Sequence, residues 1–187
     1  MKHEVVEMDS FYILGPSKAF SIEKDNISNF YDYINFCKEF HAHISSIKEH
    51  SVENTTYNYA EKMKTSNYTN IVIGLKTFEK IKQKNLVAKK INKCKYLKFT
   101  YQGKIDIVKD LSSIIFSCSY LLFNKSTNID LEKKLGILGR YIKEASNWVK
   151  KSEYMVSTDY FFITEDEKFL GPKSEKSKID IYVPLSE

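Results

Sequence analysis

Tyr141, Glu144 and Trp148 stand at i, i+3 and i+7, which on a helix places all three on one face. An acid between two aromatic rings is half of a cage for an organic cation. Ring faces attract positive charge by about 0.5–2 kcal/mol, more as water is removed. A partly buried carboxylate adds a preference for cations over neutral molecules, and burial raises its own pKa. The competing reading is a solvated Glu144 paired with nearby Lys143 or Lys151. Glu165 is the second candidate carboxylate: it lies two positions beyond Ile163, on the strand face that carries Phe161. Tyr182 falls in an alternating strand, on the face opposite Ile181 and Val183. There it can turn an apolar body and a polar tip to a cleft. Phe99, Tyr101, Tyr160 and Phe162 are further wall candidates, with Tyr12 and Ile13 opposite; each suits a plain core equally well.

Other chemistries find little footing. His41 and His43 are two positions apart, so their imidazoles leave a helix on different faces, and His50 brings no matching Cys or carboxylate with it. No metal is expected. Gly15, Gly74, Gly103, Gly136, Gly139 and Gly171 are isolated, so there is no phosphate loop and no cofactor is implied. No local nucleophile motif is present.

The elements that must position these groups are legible by period. Phe11–Ile22 reads as a strand bent at Gly15-Pro16. Ile27, Phe30, Tyr31, Ile34, Cys37, Phe40, Ile44 and Ile47 predict a long amphipathic helix over 26–48, capped by Asp25 or Asn26. Strands follow around Tyr57–Met63 and Ile71–Leu75. Phe78–Leu86 is a lysine-rich arm, and Cys94–Tyr101 alternates as a strand closed by Gly103. Two helical stripes are expected at about 105–123 and 131–151, then strand character over Met155–Thr164. The chain closes on Ile179-Asp180-Ile181-Tyr182-Val183-Pro184-Leu185, a half-buried strand. Pro184 has no N–H for a ladder and is expected at a sheet edge or past the last paired residue.

Composition bounds the rest. The chain has 187 residues, which suits one domain or two small fused units, and 42% of them are hydrophobic, enough for a sizeable core. Thirteen Tyr, 12 Phe and one Trp supply material for an aromatic pocket. The net charge of +5 is mild. Its lysine runs read as solvated faces and loops, and no nucleic-acid-reading motif is present. Cys37, Cys94 and Cys118 are odd in number with no CxxC spacing, which fits free thiols in a reducing compartment. No signal peptide is read at the N-terminus, and no run approaches the about 20 apolar residues of a membrane span. A cytoplasmic protein is expected.

Three segments, in order, resemble the GyrI-like family, which holds the effector-binding domains of bacterial multidrug-responsive activators. Tyr96–Gly103 is similar to the family's Tyr-x-x-Phe-x-x-x-Gly strand, Asn147–Tyr154 to its Trp-Leu-x-x-Ser-x-Tyr helix end, and Ile181–Pro184 to its last strand. The resemblance implies an α+β fold: two pseudo-symmetric strand–helix–strand–strand modules, an antiparallel sheet, helices on one face and a ligand cleft between modules. Here the modules would be about 5–80 and about 90–187 of a single domain, and the helix at about 105–123 would be an insertion. If the Trp148 match is misplaced, Tyr120 takes the family's Trp position instead. The family's Asp-Phe-Glu strand corresponds to Asp159-Tyr160-Phe161, with Phe161 where the Glu stands, so that carboxylate does not carry over. The function implied is polyspecific binding of lipophilic, aromatic, cationic small molecules by a stand-alone domain that does not contact DNA or membrane. The alternatives are a hydrolase of small electrophiles, as in cyclopropane-opening relatives, and a protein-binding inhibitor of the gyrase-inhibitor type.

Overall fold

The computed structural model describes residues 3–21, 27–63, 68–104, 144, 147–148, 151–156, 160–171 and 173–186. Ten strands and one long helix are described: β1 (His3–Met8), β2 (Phe11–Gly15), β3 (Ser17–Ser21), α1 (Ile27–Lys48), β4 (Thr56–Lys62), β5 (Tyr68–Thr77), β6 (Val87–Ile91), β7 (Cys94–Gln102), β8 (Met155–Val156), β9 (Tyr160–Glu165) and β10 (Lys178–Ser186). The strands form one sheet in the order β1-β7-β10-β9-β4-β5-β2-β6, with β3 also beside β5 and β8 beside β10. Every pairing is antiparallel. Helix α1 packs on β5, β2 and β3. This is the expected α+β class: an antiparallel sheet with a helix on one face.

Alternation gives the sheet two buried faces. On the helix-bearing face, Phe161 and Ile163 of β9, Ile179, Ile181, Val183 and Leu185 of β10, and Tyr33, Phe36, Phe40 and Ile47 of α1 belong to one buried cluster. On the other face Phe11, Tyr57, Tyr59, Tyr96 and Phe162 form a second cluster. The second face is concave. Three strand steps separate β9 from β2, about 14 Å on a flat sheet. Yet the Phe162 and Phe11 rings lie 6.1 Å apart. Connectivity requires the same curl. β1 and β2 stand six places apart in the order, as do β6 and β7. Only Asp9-Ser10 joins the first pair and only Asn92-Lys93 the second. The sheet must roll up so that these ends meet, and Lys93 ties both links together through Asp9 at 3.2 Å and Glu7 at 3.7 Å.

Phe162 is the keystone of the concave face. It is fully buried and meets Tyr96 at 5.5 Å, Tyr57 at 5.8 Å and the stacked Tyr182 ring at 4.8 Å. Truncation removes a ring that its neighbours cannot replace. Phe162→Ala should therefore cost about 4 kcal/mol in urea unfolding, and a loss under about 1 kcal/mol would mean that the cluster collapses to fill the gap.

Three sequence expectations need correction. Pro184 is neither at an edge nor beyond the pairing, for β10 is internal and Pro184 pairs with Tyr96. It is tolerated because the β9 pairing ends at Tyr182 and the β8 pairing begins at Leu185. In the expected stripe of α1, Phe40 and Ile47 are buried and Cys37 and Ile44 pack on the core, but Tyr31 is exposed, and Tyr33 and Phe36 are buried beside them. A Tyr hydroxyl tolerates water where Phe36 does not. Strands β1 and β6 are additional to the expected elements. The expected helices at about 105–123 and 131–151 lie largely outside the described residues, which include helical positions at Glu144, Asn147, Trp148 and Lys151.

Candidate functional site

A relay of side chains leads from the bent strand to a carboxylate. Phe20 of β3 meets the ring of Tyr33 at 5.8 Å and that of Phe36 at 5.7 Å, which fixes the rotation of α1. Tyr33, buried, carries its hydroxyl to 3.5 Å from Oδ1 of Asn58 on β4. Asn58, 2% exposed, donates through Nδ2 to Oε1 of Glu165 at 3.0 Å. Cys37, one turn along α1 from Tyr33, shares a hydrogen bond with it.

The electrostatics follow from burial. Burial pushes the Glu165 carboxyl up to about 7, and the Asn58 amide only partly opposes this. Burial raises the Tyr33 hydroxyl well above its usual range and pushes the Cys37 thiol up to about 11; the nearby Glu165 charge adds to both. Tyr33 and Cys37 are therefore neutral at physiological pH, and Cys37 is no nucleophile.

Glu165 differs from the other enclosed acids in what it lacks. Asp180 has the Lys98 ammonium at 3.2 Å, and Glu53 has Lys76 at 3.9 Å. Glu61 holds Lys89 and also accepts from Tyr59 at 2.8 Å and Asn70 at 3.3 Å. Burial would raise the Glu61 carboxyl, but those partners outweigh it and hold it low. Among the described residues Glu165 has one amide donor and no cation.

The candidate residues divide between the two faces. Phe161 and Glu165 share the helix-bearing face with Phe99 and Tyr101. Register draws a row across it, Phe99 beside Ile181, Ile181 beside Ile163, and Ile163 beside Asn58. Trp148 packs against the same face, with His3 at 5.2 Å and the nearly parallel Tyr154 ring at 6.5 Å. His3 pairs with Phe99, so Trp148 stands at the far end of that row, about 19 Å from Asn58 by strand spacing. Tyr12, half-buried, alternates with Phe11 and Ile13 and so falls on the helix-bearing face. Tyr182 is across the sheet, stacked on Phe162 with the Lys98 ammonium 5.8 Å from its ring. Glu144 is exposed, and Tyr141 lies outside the described residues.

Sequence reasoning missed Tyr33 and Asn58. Tyr33 could have been found, since Tyr33, Phe36, Cys37, Phe40, Ile44 and Ile47 make an unbroken helical stripe. Asn58 carried no signal, because only the β4–β9 register brings it to Glu165.

Solved structures share this architecture. No family model and no curated protein matches the chain. SAV2435, in a structure with tetraphenylphosphonium bound, matches with a TM-score of 0.64 at 10% identity, over 100% of this chain and 94% of that one. A chain described as a bacterial transcription regulation protein from Staphylococcus aureus matches at 0.63 and 10%, over 100% and 99%. The EcmrR C-terminal domain matches at 0.54 and 10%, over 100% and 98%; EcmrR has also been solved in complex with DNA. Likeness at this identity speaks for the fold.

Proposed function

We propose that this protein is a receptor for lipophilic, aromatic, cationic small molecules, polyspecific in what it accepts, and that it does not itself read DNA. The observation that carries the reading is Glu165, an enclosed carboxylate with an amide partner and no cation beside it among the described residues. An organic cation supplies the missing charge. Opening of this face, where Phe161 and Phe99 are buried and Tyr101 is half-buried, would offer a ligand apolar surface without directional demands, which suits loose specificity. Trp148 and Tyr154 would form an aromatic wall at the far end of the row. The binding of tetraphenylphosphonium by SAV2435, a protein of the same fold, favours the same ligand class here. Free thiols at Cys37 and Cys94 suit the cytoplasm as the place of action.

The test is fluorescence polarisation of rhodamine 6G, a permanent cation, against a neutral dye of similar size. Saturable micromolar binding that prefers the cation is expected. Equal binding of both dyes, or of neither, would remove the charge-based reading. A carboxyl that titrates near 7 also suits general acid–base work. Slow hydrolysis of an electrophilic ligand is therefore the second reading, detectable as product formation that Glu165→Gln abolishes.

A further inference from the structure

The chain's positive charge is gathered in one place. Between Lys76 and Lys90 six lysines face one acid, Glu79, a net +5 that equals the net charge of the whole chain. The rest of the sequence is balanced. Lys76 and Lys89 have acidic partners in Glu53 and Glu61. Lys80, Lys82, Lys84 and Lys90 form no ion pair among the described residues.

This arm is ordered. The Thr77 hydroxyl donates to the Glu79 carbonyl at 2.8 Å, and Leu86 N–H closes a turn onto Gln83 at 3.2 Å with Asn85 at φ 64°. The arm carries an open, shallow groove of about 540 Å³ lined by Ile81, Leu86 and Ala88 between Lys80, Lys82 and Lys84. Gln83 also lines it, and its Oε1 is buried without a donor among the described residues. Phe78 is 66% exposed and Val87 41% exposed beside it. The groove ends on β6, the last strand in the order, whose one described partner is β2. Among the described residues no strand pairs with the opposite edge of β6.

We infer that β6 and the Lys80–Ala88 groove dock an acidic, extended peptide segment of a partner protein. Antiparallel or parallel addition to β6 satisfies the peptide's main chain. Strand alternation then sends every second side chain the same way, so apolar residues reach Ile81, Leu86 and Ala88 while acids between them meet the lysines. Gln83 Oε1 accepts a peptide N–H. Lysines on an edge also deter self-pairing, and an acidic segment is the strand that they do not repel. By register Ala88 stands four strands from Glu165, through Thr56, Leu75 and Leu14.

The probe is a fluorescein-labelled dodecamer of alternating Glu and Val, with the full-length protein. Anisotropy should show saturable binding that weakens as salt rises, and the Lys/Val counterpart should not bind. Lys82→Glu with Lys84→Glu, both at exposed positions, should weaken it at least tenfold without moving the melting temperature. Hydrogen exchange should slow at Val87–Ile91 on binding. Loss of none of the affinity in the double variant, or protection confined to other strands, would overturn the inference. So would tighter binding of a single-stranded oligonucleotide of equal charge, since the arm would then be reading phosphate.

Discussion

Glu165→Gln will make the protein more stable above pH 7 and poorer at holding a cation. Glu165 titrates near 7 in the folded protein against an ordinary value of 4.5. The folded form therefore binds this proton more tightly than the unfolded chain does. The group's favourable contribution is complete below about 4.5 and is lost as pH rises to about 7, after which it stays lost. A gap of this size corresponds to about 3 kcal/mol, and residual contact with solvent trims it. Gln keeps an oxygen to accept from Asn58 and carries no charge. Urea unfolding at pH 8 should show the variant about 2–3 kcal/mol above the native protein, and under about 1 kcal/mol above it at pH 5. The same gap at both pH values would show that Glu165 is not held in this state.

Ligand binding must run the other way. On the proposed function, a permanent cation such as tetraphenylphosphonium would prefer the ionised carboxylate, and its binding would expel the proton. Affinity in the native protein should climb between pH 6 and 8 and level off above. In Glu165→Gln it should be flat with pH and at least tenfold weaker at pH 8, about 1.4 kcal/mol. A variant stabilised at pH 8 but with unchanged cation affinity would place the ligand elsewhere in the fold. The two readouts thus separate a buried acid that is merely costly from one that recognises charge.

How far the sequence led can be judged from this acid. Glu165 was legible as a candidate because β9 alternates cleanly, and its parity with Phe161 set its face. What distinguishes it from Glu144 was not legible. That depends on enclosure and on Asn58, which is 107 residues away and meets it only through sheet register. The strands with clear alternation, β7, β9 and β10, were found; so was the bend at Gly15-Pro16. β1 and β6 escaped because edge strands in this sheet mix charge with apolar residues, as in Val87-Ala88-Lys89-Lys90-Ile91. The resemblance to the GyrI-like family supplied the α+β class, an antiparallel sheet with helices on one face, but not the roll of that sheet, which follows from the short β1–β2 and β6–β7 links between strands six places apart. It could not tell that Tyr182 and Trp148 lie on opposite faces, since both are aromatic side chains at half-buried positions.

Gly15→Ala should be among the most damaging single substitutions in this chain. Strands β2 and β3 are one strand bent at Gly15-Pro16, and both halves pair with β5. At the bend the backbones nearly touch. A Cβ on Gly15 would stand 1.9 Å from the Ile73 carbonyl oxygen and 2.8 Å from Gly74 Cα. One on Gly74 would stand 2.3 Å from the Leu14 carbonyl oxygen. Carbon contacts are comfortable only beyond about 3.5 Å. The obstacles are main chain and cannot rotate away, so β2 and β5 must separate by more than a bond length. That separation strains Leu14 and Leu75 in the core and pulls β3 with Phe20 from under α1. We expect a loss of at least about 4 kcal/mol, read as a collapse in melting temperature or in soluble yield. Gly171→Ala is the control. Its φ of 92° disfavours a side chain, yet nothing lies within 4 Å of the added carbon. It should cost only about 1–2 kcal/mol. If Gly15→Ala melts within a few degrees of the native protein, the close approach is not what shapes the sheet. If it folds only partly, cation binding should be lost with it, because Phe20 orients Tyr33, Tyr33 reaches Asn58, and Asn58 holds Glu165.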